Sequence, residues 1–403
     1  MQREVRGVSR VRSRRYRVVF VLAAVAAALA LAACGSSSKS SSASSSSSAS
    51  SSSGGAAASS TSTSGGSGSS GLATAKAIVT QFSKTPTNIT VTKPVGKPIP
   101  TGKKIVFVDC GIPTCTAVGN SLKQAGAVLG WSYTSIAAST TPSGAQKGFE
   151  QAIQDHPDGV AYTGIARADI NPQLKQLAAM HIPVATCCTT DAVGAGLTNI
   201  VRTAKSSAAS GRLAAAWIIN DSGGKANTLY VDLPVFPIYV PYRTSFAATY
   251  KQLCPSCGLS TLSLPATAIG TNGPQQIASY LSAHSSINYV FVVNDALSLG
   301  LEAAMKGAGV NNVKFVGSDS TQANFPAVVT GQEAATIPSP VGETGWYEAD
   351  ILARAFAGVP QVNEGNEELM VWTKANIPPG STKSGTIILN PNFMAQFKKL
   401  WGK

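Results

Sequence analysis

Residues 286–320 read SINYVFVVNDALSLGLEAAMKGAGVNNVKFVGSDS, and their pattern predicts one complete β-α-β unit. The run at 287–293 is apolar, rich in β-branched residues and too short for a helix, which is typical of a strand buried on both faces. A helix is expected next, because apolar residues recur at helical spacing before Gly307 and Gly309, which can end it. These apolar residues are Leu297, Leu301, Ala304 and Met305. Residues 313–316 form the second predicted strand.

A polar residue follows each strand of this unit. Parallel strands end at the same edge of a sheet, so the side chains of Asn294 and Asp319 should lie at one rim, where ligands bind in open α/β sheets. A carboxylate accepts two hydroxyl hydrogens, and an amide both donates and accepts. Asn294 and Asp319 are therefore candidate ligand residues, although such residues are also common helix caps. For Asp295, which starts the predicted helix, capping is the expected role.

The same alternation of strands and helices extends along the chain from about residue 103. Strands are predicted at 104–109, 131–135, 159–162, 182–186, 198–201, 227–232, 260–264, 287–293, 313–316 and 334–337. Helices are predicted at 116–129, 143–154, 171–180, 204–220, 239–252, 274–283, 322–330 and 343–356. Strands separated by helices indicate parallel, doubly wound sheets. Since about ten strands suit two cores better than one, we expect an α/β fold with two parallel-sheet lobes.

The N-terminus predicts an export signal. Residues 3–17 hold seven arginines and one acid, and residues 18–33 are an apolar run of sixteen. A run of that length is short for a membrane span of about 20 residues. Its end, LAACG at 31–35, resembles the lipobox of bacterial lipoproteins, whose cysteine is diacylated and becomes the mature N-terminus. We therefore expect a signal peptide over 1–33 and lipidation at Cys34; an ordinary signal with an incidental Cys34 is the alternative.

A segment without a core-forming composition follows. Residues 35–71 contain only Ser, Gly, Ala and Thr apart from Lys39, so no large apolar side chain offsets the entropy of ordering. We assign residues 34–75 to a lipidated, flexible tether and residues 76–101 to an extended lead-in, with a short helix expected near 72–83. The protein is expected outside the cytoplasm, anchored to the membrane at the cell surface or in the periplasm.

The charge excludes one class of partner. The chain carries a formal net charge of +13, but its first 33 residues contribute seven arginines and one glutamate, which leaves +7 for the rest. The remaining basic residues are scattered singly, and no basic-aromatic motif occurs. Nucleic acid is therefore not an expected partner.

Six cysteines remain beyond Cys34, and an even number outside the cytoplasm favours disulfides. Cys254 and Cys257 lie where a predicted helix ends and a strand begins, whereas a redox C-x-x-C opens a helix. A structural bridge is thus expected for this pair, with a redox role as the alternative. The pairing of Cys110, Cys115, Cys187 and Cys188 is left open, and a soft metal on these four is a second alternative.

Several motifs resemble those of one family. NDALSLG at 294–300 is close to ND-x-x-A-x-G, VGSD at 316–319 to VGFD, and HIPV at 181–184 and SGRLAA at 210–215 also match. In order and spacing they resemble the type 1 periplasmic binding proteins of the ribose-binding class, the soluble receptors of ABC importers. The resemblance implies two lobes joined by a three-strand hinge, with the ligand held between strand ends. Lobe one would span 102–204 plus 339–362, and lobe two 205–338 plus 363–403.

The resemblance also assigns ligand positions. Asn294 and Asp319 match residues that bind sugar hydroxyls in the family. The other lobe departs from the pattern, since Cys188 and Thr189 replace an Asp-Arg pair and Ser339 replaces a glutamine. Where sugar-binding relatives place two aromatic residues, this chain has a loop with Ile112 and Cys115.

Further candidates for the binding site follow two other predicted strands. The segment 232–243 could supply ligand contacts through Phe236, Tyr239 and Arg243. The alternative is a proline-stiffened loop that packs on its own helix. Tyr162 and Thr163 end another strand and are candidates of the same kind, although a tyrosine at a strand end is often only part of the core.

Catalysis finds no support in the sequence. The three histidines lie far apart, and no nucleophile elbow or glycine-rich phosphate loop occurs. We therefore expect no enzyme activity, catalytic residue, cofactor or metal. The predicted function is a monomeric receptor that delivers a small polar ligand, a sugar or polyol, to the membrane permease of an ABC importer. The alternatives are a receptor for a non-sugar metabolite or signal read by a membrane sensor, and a surface thiol-disulfide enzyme.

Overall fold

The computed structural model describes residues 66–378, 381 and 386–403. The predicted signal peptide, Cys34 and most of the predicted tether lie outside the described residues. Within the part that is described, no helix is both long and apolar enough to cross a membrane.

The first sheet is parallel and has the strand order β2-β1-β3-β4-β5. Its strands are β1 (Lys104–Asp109), β2 (Ser132–Ala137), β3 (Gly159–Thr163), β4 (Val184–Cys187) and β5 (Asn199–Val201). The helices between them are α2 (Pro113–Leu129), α3 (Pro142–Gln154) and α4 (Arg167–Ala179). The central strands β1, β3 and β4 are buried almost throughout, as their continuous apolar runs predict, whereas the edge strand β2 is partly exposed.

The second sheet is also parallel, with the order β10-β9-β8-β6-β7. Its strands are β6 (Asn227–Asp232), β7 (Gly258–Ser263), β8 (Tyr289–Val292), β9 (Lys314–Ser318) and β10 (Glu333–Ile337). Its helices are α5 (Ala204–Asp221), α6 (Tyr239–Leu253), α7 (Gly273–Ala283), α8 (Leu301–Gly307) and α9 (Phe325–Thr330). The predicted class of two parallel-sheet α/β lobes is confirmed.

The helix predicted after β8 is broken in two. A 3-10 turn at Asp295–Leu297 comes first, and α8 starts only after Gly300, whose φ of 85° lies in the left-handed region. A residue in that conformation cannot continue a right-handed helix, so glycine ends the first turn.

The N-terminal helix is longer than predicted. α1 runs from Gly66 to Phe82 and packs against α5 and α6. It therefore crosses the predicted boundary at 75/76, and the residues just before that boundary are helical instead of part of a tether. Packing against two helices of the second lobe supplies the stabilisation that its small side chains would not give alone.

The C-terminal segment touches both sheets. α10 (Val341–Phe356) packs against α2, and α11 (Phe393–Trp401) packs against α10, with the rings of Trp346 and Trp401 stacked 5.3 Å apart. The last helix therefore lies with the first lobe and not with lobe two, contrary to the expectation for 363–403. Trp372, in contrast, forms a backbone bridge to Thr336 on β10. The other lobe boundaries remain predictions.

Candidate functional site

The carboxyl ends of the two sheets face each other across a small inner cavity. Its volume is about 30 Å³, close to that of one water molecule. Its lining combines the first turn of α2, the ends of β3 and β4, the loop before α6, and the residues that follow β9 and β10. Eight of the twelve predicted ligand residues line it: Ile112, Cys115, Thr163, Cys188, Phe236, Tyr239, Asp319 and Ser339. The structure thus brings most of the predicted site together, while their role in binding stays a prediction.

A charged contact closes this cavity from one sheet to the other. Arg202, which follows β5, holds Asp319, which follows β9, through Nη2 and Oδ1 at 2.6 Å. A second nitrogen, Nη1, donates to the hydroxyl of Ser339 at 2.5 Å. Both charged side chains are only about one-twentieth exposed, at 6% and 5%. Removal of either member of a buried pair of this kind would leave the other charge without compensation.

Tyr239 completes the hydrogen-bond network. Its hydroxyl donates to Oδ2 of Asp319 at 2.7 Å and accepts a hydrogen bond from Nδ2 of Asn294 at 2.9 Å. Burial raises the pKa of Tyr239 well above its usual value, and the nearby Asp319 carboxylate adds to that effect. The phenol therefore remains a hydrogen-bond donor at ordinary pH.

Arg202 is not among the ligand residues predicted from the sequence. The only signal was a basic residue placed directly after a short predicted strand, at the edge where the other candidates lie. Its φ of 51° turns the backbone at the strand end. Burial acts against its charge, but Asp319, Glu367 and Tyr239 together outweigh that effect and raise the pKa of Arg202.

Asn294 lies behind the cavity. It is fully buried, and its side-chain oxygen accepts the Ala296 N–H at 3.0 Å, so it caps the 3-10 turn. The capping role expected for Asp295 was therefore wrong. The Asp295 carboxylate instead accepts hydrogen bonds from the Ser318 N–H and from the hydroxyls of Ser320 and Thr336.

Three other predicted ligand residues also lie outside the inner cavity. Tyr162 is fully buried, with its ring 5.1 Å from that of Phe149, so it belongs to the core. Thr189 donates to Asp191 at 2.6 Å, and Arg243 forms an ion pair with Asp232. The 232–243 segment thus serves in two ways, with Phe236 and Tyr239 at the cavity and Arg243 paired with its own strand end.

The first-sheet side of the cavity contains sulfur. The structure joins Cys110 to Cys115 and the neighbours Cys187 and Cys188 to each other. Between these bridges lies Gly164, where an added Cβ would be 3.4 Å from the sulfurs of Cys110 and Cys115 and 3.8 Å from the Phe236 ring. Asp109, Cys110 and Cys115 are close enough to hold a metal ion, but in a disulfide the two cysteines offer no thiolate.

The third bridge joins Cys254 to Cys257, neither of which lines the cavity. It lies between the end of α6 and the start of β7, the position expected for a bridge that closes a loop.

A larger outer cleft of about 830 Å³ adjoins the inner cavity and shares Ile112, Thr114 and Val341 with it. The other described residues that line it are Gly111, Pro113, Thr116, Ala117, Asn120, Leu299, Ser320, Thr321, Gln322, Ala323, Thr386 and Ile387. None of these lining residues carries a charge. The volume is within the range of about 300–1,000 Å³ that small-molecule sites occupy.

Comparison with known sequences gives partial relatives. The ribose import binding protein RbsB of Salmonella typhimurium (strain LT2) is 37% identical over 91 residues, which are 22% of this chain and 31% of that protein. RbsB of Escherichia coli (strain K12) is 36% identical over 91 residues, with the same shares. The chain therefore spans about a third of the length of the curated relatives that it matches.

Solved structures share the fold over a greater length. GanP, a glucose-galactose binding protein from Geobacillus stearothermophilus, superposes with a TM-score of 0.60 at 19% identity, covering 69% of this chain and 100% of that one. An ABC transporter solute binding protein from Agrobacterium vitis with bound D-fucose gives 0.61 at 18% identity, covering 71% and 100%.

A sequence model of one family matches most of the folded part of the chain. It is described as a periplasmic binding protein domain and covers residues 104–359. This stretch includes both sheets and every residue of the inner cavity. The family is one of binding proteins, in agreement with the expectation of a protein without catalysis. The chain belongs to the periplasmic binding protein domain family, with the two-lobed fold that its strand pattern predicts.

Proposed function

We propose that this protein is the solute-binding receptor of an ABC importer and captures a small polar ligand, a sugar or polyol, between two lobes. The observation that carries the proposal is the inner cavity, where residues that follow strands of both sheets meet. The comparisons support it, since the curated relatives and the superposed structures are described as sugar-binding proteins.

The mechanism is closure of the two lobes without covalent chemistry. The contact between Arg202 and Asp319 joins the two sheets, so it belongs to the closed arrangement. When the lobes separate, the Asp319 carboxylate loses Arg202 as a partner, and a ligand hydroxyl can take its place. A ligand that binds the closed arrangement more tightly than the open one shifts the equilibrium by that difference in affinity.

The proposal includes an extracytoplasmic address. The basic and apolar leader supports export, and the lipobox-like end at Cys34 supports attachment to the membrane by a lipid. From this anchor the soluble part of the monomer would reach the permease. Radiolabelled palmitate should be incorporated into the chain and not into a Cys34→Ala variant. Equal labelling of the two would contradict the anchor.

The first test is thermal unfolding of the purified protein with pentoses, hexoses, polyols, amino acids and nucleosides. A ligand at 100 times its dissociation constant should add about 2.7 kcal/mol to the free energy of unfolding, a shift of several degrees. Asp319→Asn should abolish the shift, whereas Asp158→Asn, which alters a partly exposed ion pair with Lys103, should leave it unchanged.

The alternatives give different results in the same experiment. A shift with a non-sugar solute alone would keep the receptor and discard the sugar. No shift with any solute would contradict the proposed function. It would favour a thiol-disulfide enzyme only if a reactive thiol were also present.

A further inference from the structure

The wall of the inner cavity on the first-sheet side consists of hydrocarbon and sulfur. Its residues are Ile112, Cys115, Val118, Gly164 and Cys188, and the ring of Phe236 lies over Gly164. The polar exceptions are Thr114, which also lines the outer cleft, and Thr163, which is 2% exposed and whose hydroxyl lies 2.7 Å from the sulfur of Cys187. A ligand that touches this wall therefore finds few hydrogen-bond partners there.

Hydrogen-bonding groups are concentrated on the opposite side. Asp319, Tyr239 and Ser339 follow strands of the second sheet, and Arg202 reaches across to join them in one network. The charges of Arg202 and Asp319 compensate each other. Glu367 also acts electrostatically on Arg202, so a charged ligand would enter a buried site whose charges already have partners, which is unfavourable.

The outer cleft also has a lining that is uncharged and partly apolar over the described residues. Its described lining carries no charge and includes hydrocarbon from both lobes, with Ile112, Pro113 and Ala117 on one and Leu299 on the other. Leu299 is 42% exposed, so its side chain is available to contact a molecule in the cleft. A ligand that extends outward from the inner cavity would meet apolar surface again.

We propose that the ligand is an uncharged, partly hydroxylated molecule with a hydrocarbon face: a deoxy sugar, or an alkyl or aryl glycoside. Its hydroxyls face Asp319 and Tyr239, and its hydrocarbon part lies against the sulfur-containing wall and Phe236. A fully hydroxylated sugar is disfavoured, because the hydroxyls on its far side would be buried without partners. This inference rests on the proposed function and narrows its substrate class.

The test is calorimetric titration of the purified protein with matched pairs of sugars. The pairs are D-fucose with D-galactose, L-rhamnose with L-mannose, and phenyl β-D-glucopyranoside with D-glucose. In at least one pair the member with more hydrocarbon should bind about tenfold more tightly or better, the scale expected for one apolar group placed in a hydrophobic pocket.

Two variants test whether the sulfur-containing wall causes the preference for the sugar with more hydrocarbon. Phe236→Ala should reduce it to less than about threefold, whereas Val235→Ala, at the neighbouring residue that is 45% exposed, should leave it intact. If Phe236→Ala does not fold, Ile112→Thr serves instead, because it replaces the ethyl group of the isoleucine side chain by a hydroxyl. Ile112→Val is its control.

The outcomes separate this inference from the proposed function. If the fully hydroxylated member of each pair binds as tightly as its partner or more tightly, the inference is wrong and the receptor function stands. An unchanged preference in Phe236→Ala or in Ile112→Thr would also overturn the role of the wall. If no pair member and no other solute binds, the proposed function fails and the inference fails with it.

Discussion

The two sheets have the same topology but carry different chemistry at the edges that face each other. The order β2-β1-β3-β4-β5 of the first sheet is repeated as β7-β6-β8-β9-β10 in the second. Apart from Arg202, the first edge presents mainly sulfur and hydrocarbon, whereas the second edge, apart from Phe236 and Ile238, presents carboxyl, amide and hydroxyl groups in a continuous network. The fold determines where strand ends lie, and the residues at those ends determine what each edge can bind.

The polar edge extends below the cavity into buried carboxyls. Asp295 and Glu333 are both fully buried and face each other beside Gly317, which has no side chain to separate them. Burial raises the pKa of Asp295 to about 7 and raises the pKa of Glu333 well above its usual value. The second edge therefore depends on polar groups that are held out of water.

The largest effect is expected when a single methyl group is added at Gly317, beside these two buried carboxyls. In Gly317→Ala the new Cβ would overlap with the carboxyl oxygens of Asp295 and Glu333. We expect a loss of about 4 kcal/mol or more in the free energy of unfolding, measured in urea, because a buried polar cluster has no room to move.

The matched control for this variant is Gly307→Ala. Nothing lies within 4 Å of a Cβ at that position, in the last turn of α8. It should be neutral or add up to about 1 kcal/mol, since alanine favours a helix over glycine. Similar losses in both variants would show that the polar edge is not tightly packed.

The next largest effect is expected at the ion pair of Arg202 and Asp319, which links the two edges. Arg202→Met leaves the buried Asp319 without its cation and should lower the free energy of unfolding by about 3 kcal/mol. The comparison is Lys103→Met, because the pair of Lys103 with Asp158 is partly exposed and should contribute less than about 1 kcal/mol. Equal losses would mean that the buried pair is hydrated in solution.

A pH series tests two buried carboxyls, Asp295 at the polar edge and Glu368, which accepts a hydrogen bond from Tyr347 on α10. Burial raises the pKa of Glu368 to about 7, as it does for Asp295, so both carboxyls hold protons in the folded state that the unfolded chain releases. Their contribution is complete below about pH 4 and declines as the pH rises toward 7, a loss of a few kcal/mol.

Urea unfolding at several pH values measures this loss. The double variant Asp295→Asn/Glu368→Gln should have a flatter profile, because neither amide can ionise. A profile as steep as that of the unchanged protein would assign the pH dependence to other groups.

The smallest effect concerns the apolar edge. Reducing the bridge between Cys110 and Cys115, five residues apart, should lower the free energy of unfolding by about 2 kcal/mol through the entropy of the unfolded chain. Before reduction, none of the six cysteines from Cys110 onward should react with a thiol reagent. The variant Cys254→Ala/Cys257→Ala keeps both bridges of the cavity wall, so any stability that it loses on reduction comes from those two bridges. Reactive thiols in the untreated protein would contradict the bridges.

Local patterns in the sequence determined the two-lobed fold. The spacing of apolar residues that is typical of a strand or a helix, and the residues that end each element, depend on only a few neighbouring positions. The same logic placed Asp319, Phe236 and Tyr239 correctly at the facing edges, since a residue after a parallel strand has little choice of edge. The break at Gly300 was missed because the apolar spacing continued through it.

Other features required contacts between distant parts of the chain. Arg202 meets Asp319 across 117 residues, and α11 returns to pack on α10 of the first lobe. The bridges of the cavity wall depend on which sulfurs the backbone brings together, and spacing alone left that pairing open. The sequence thus specified the elements and the edge at which ligand residues lie. The partners of those residues followed from packing, because burial, charge compensation and close approach depend on the whole folded surroundings.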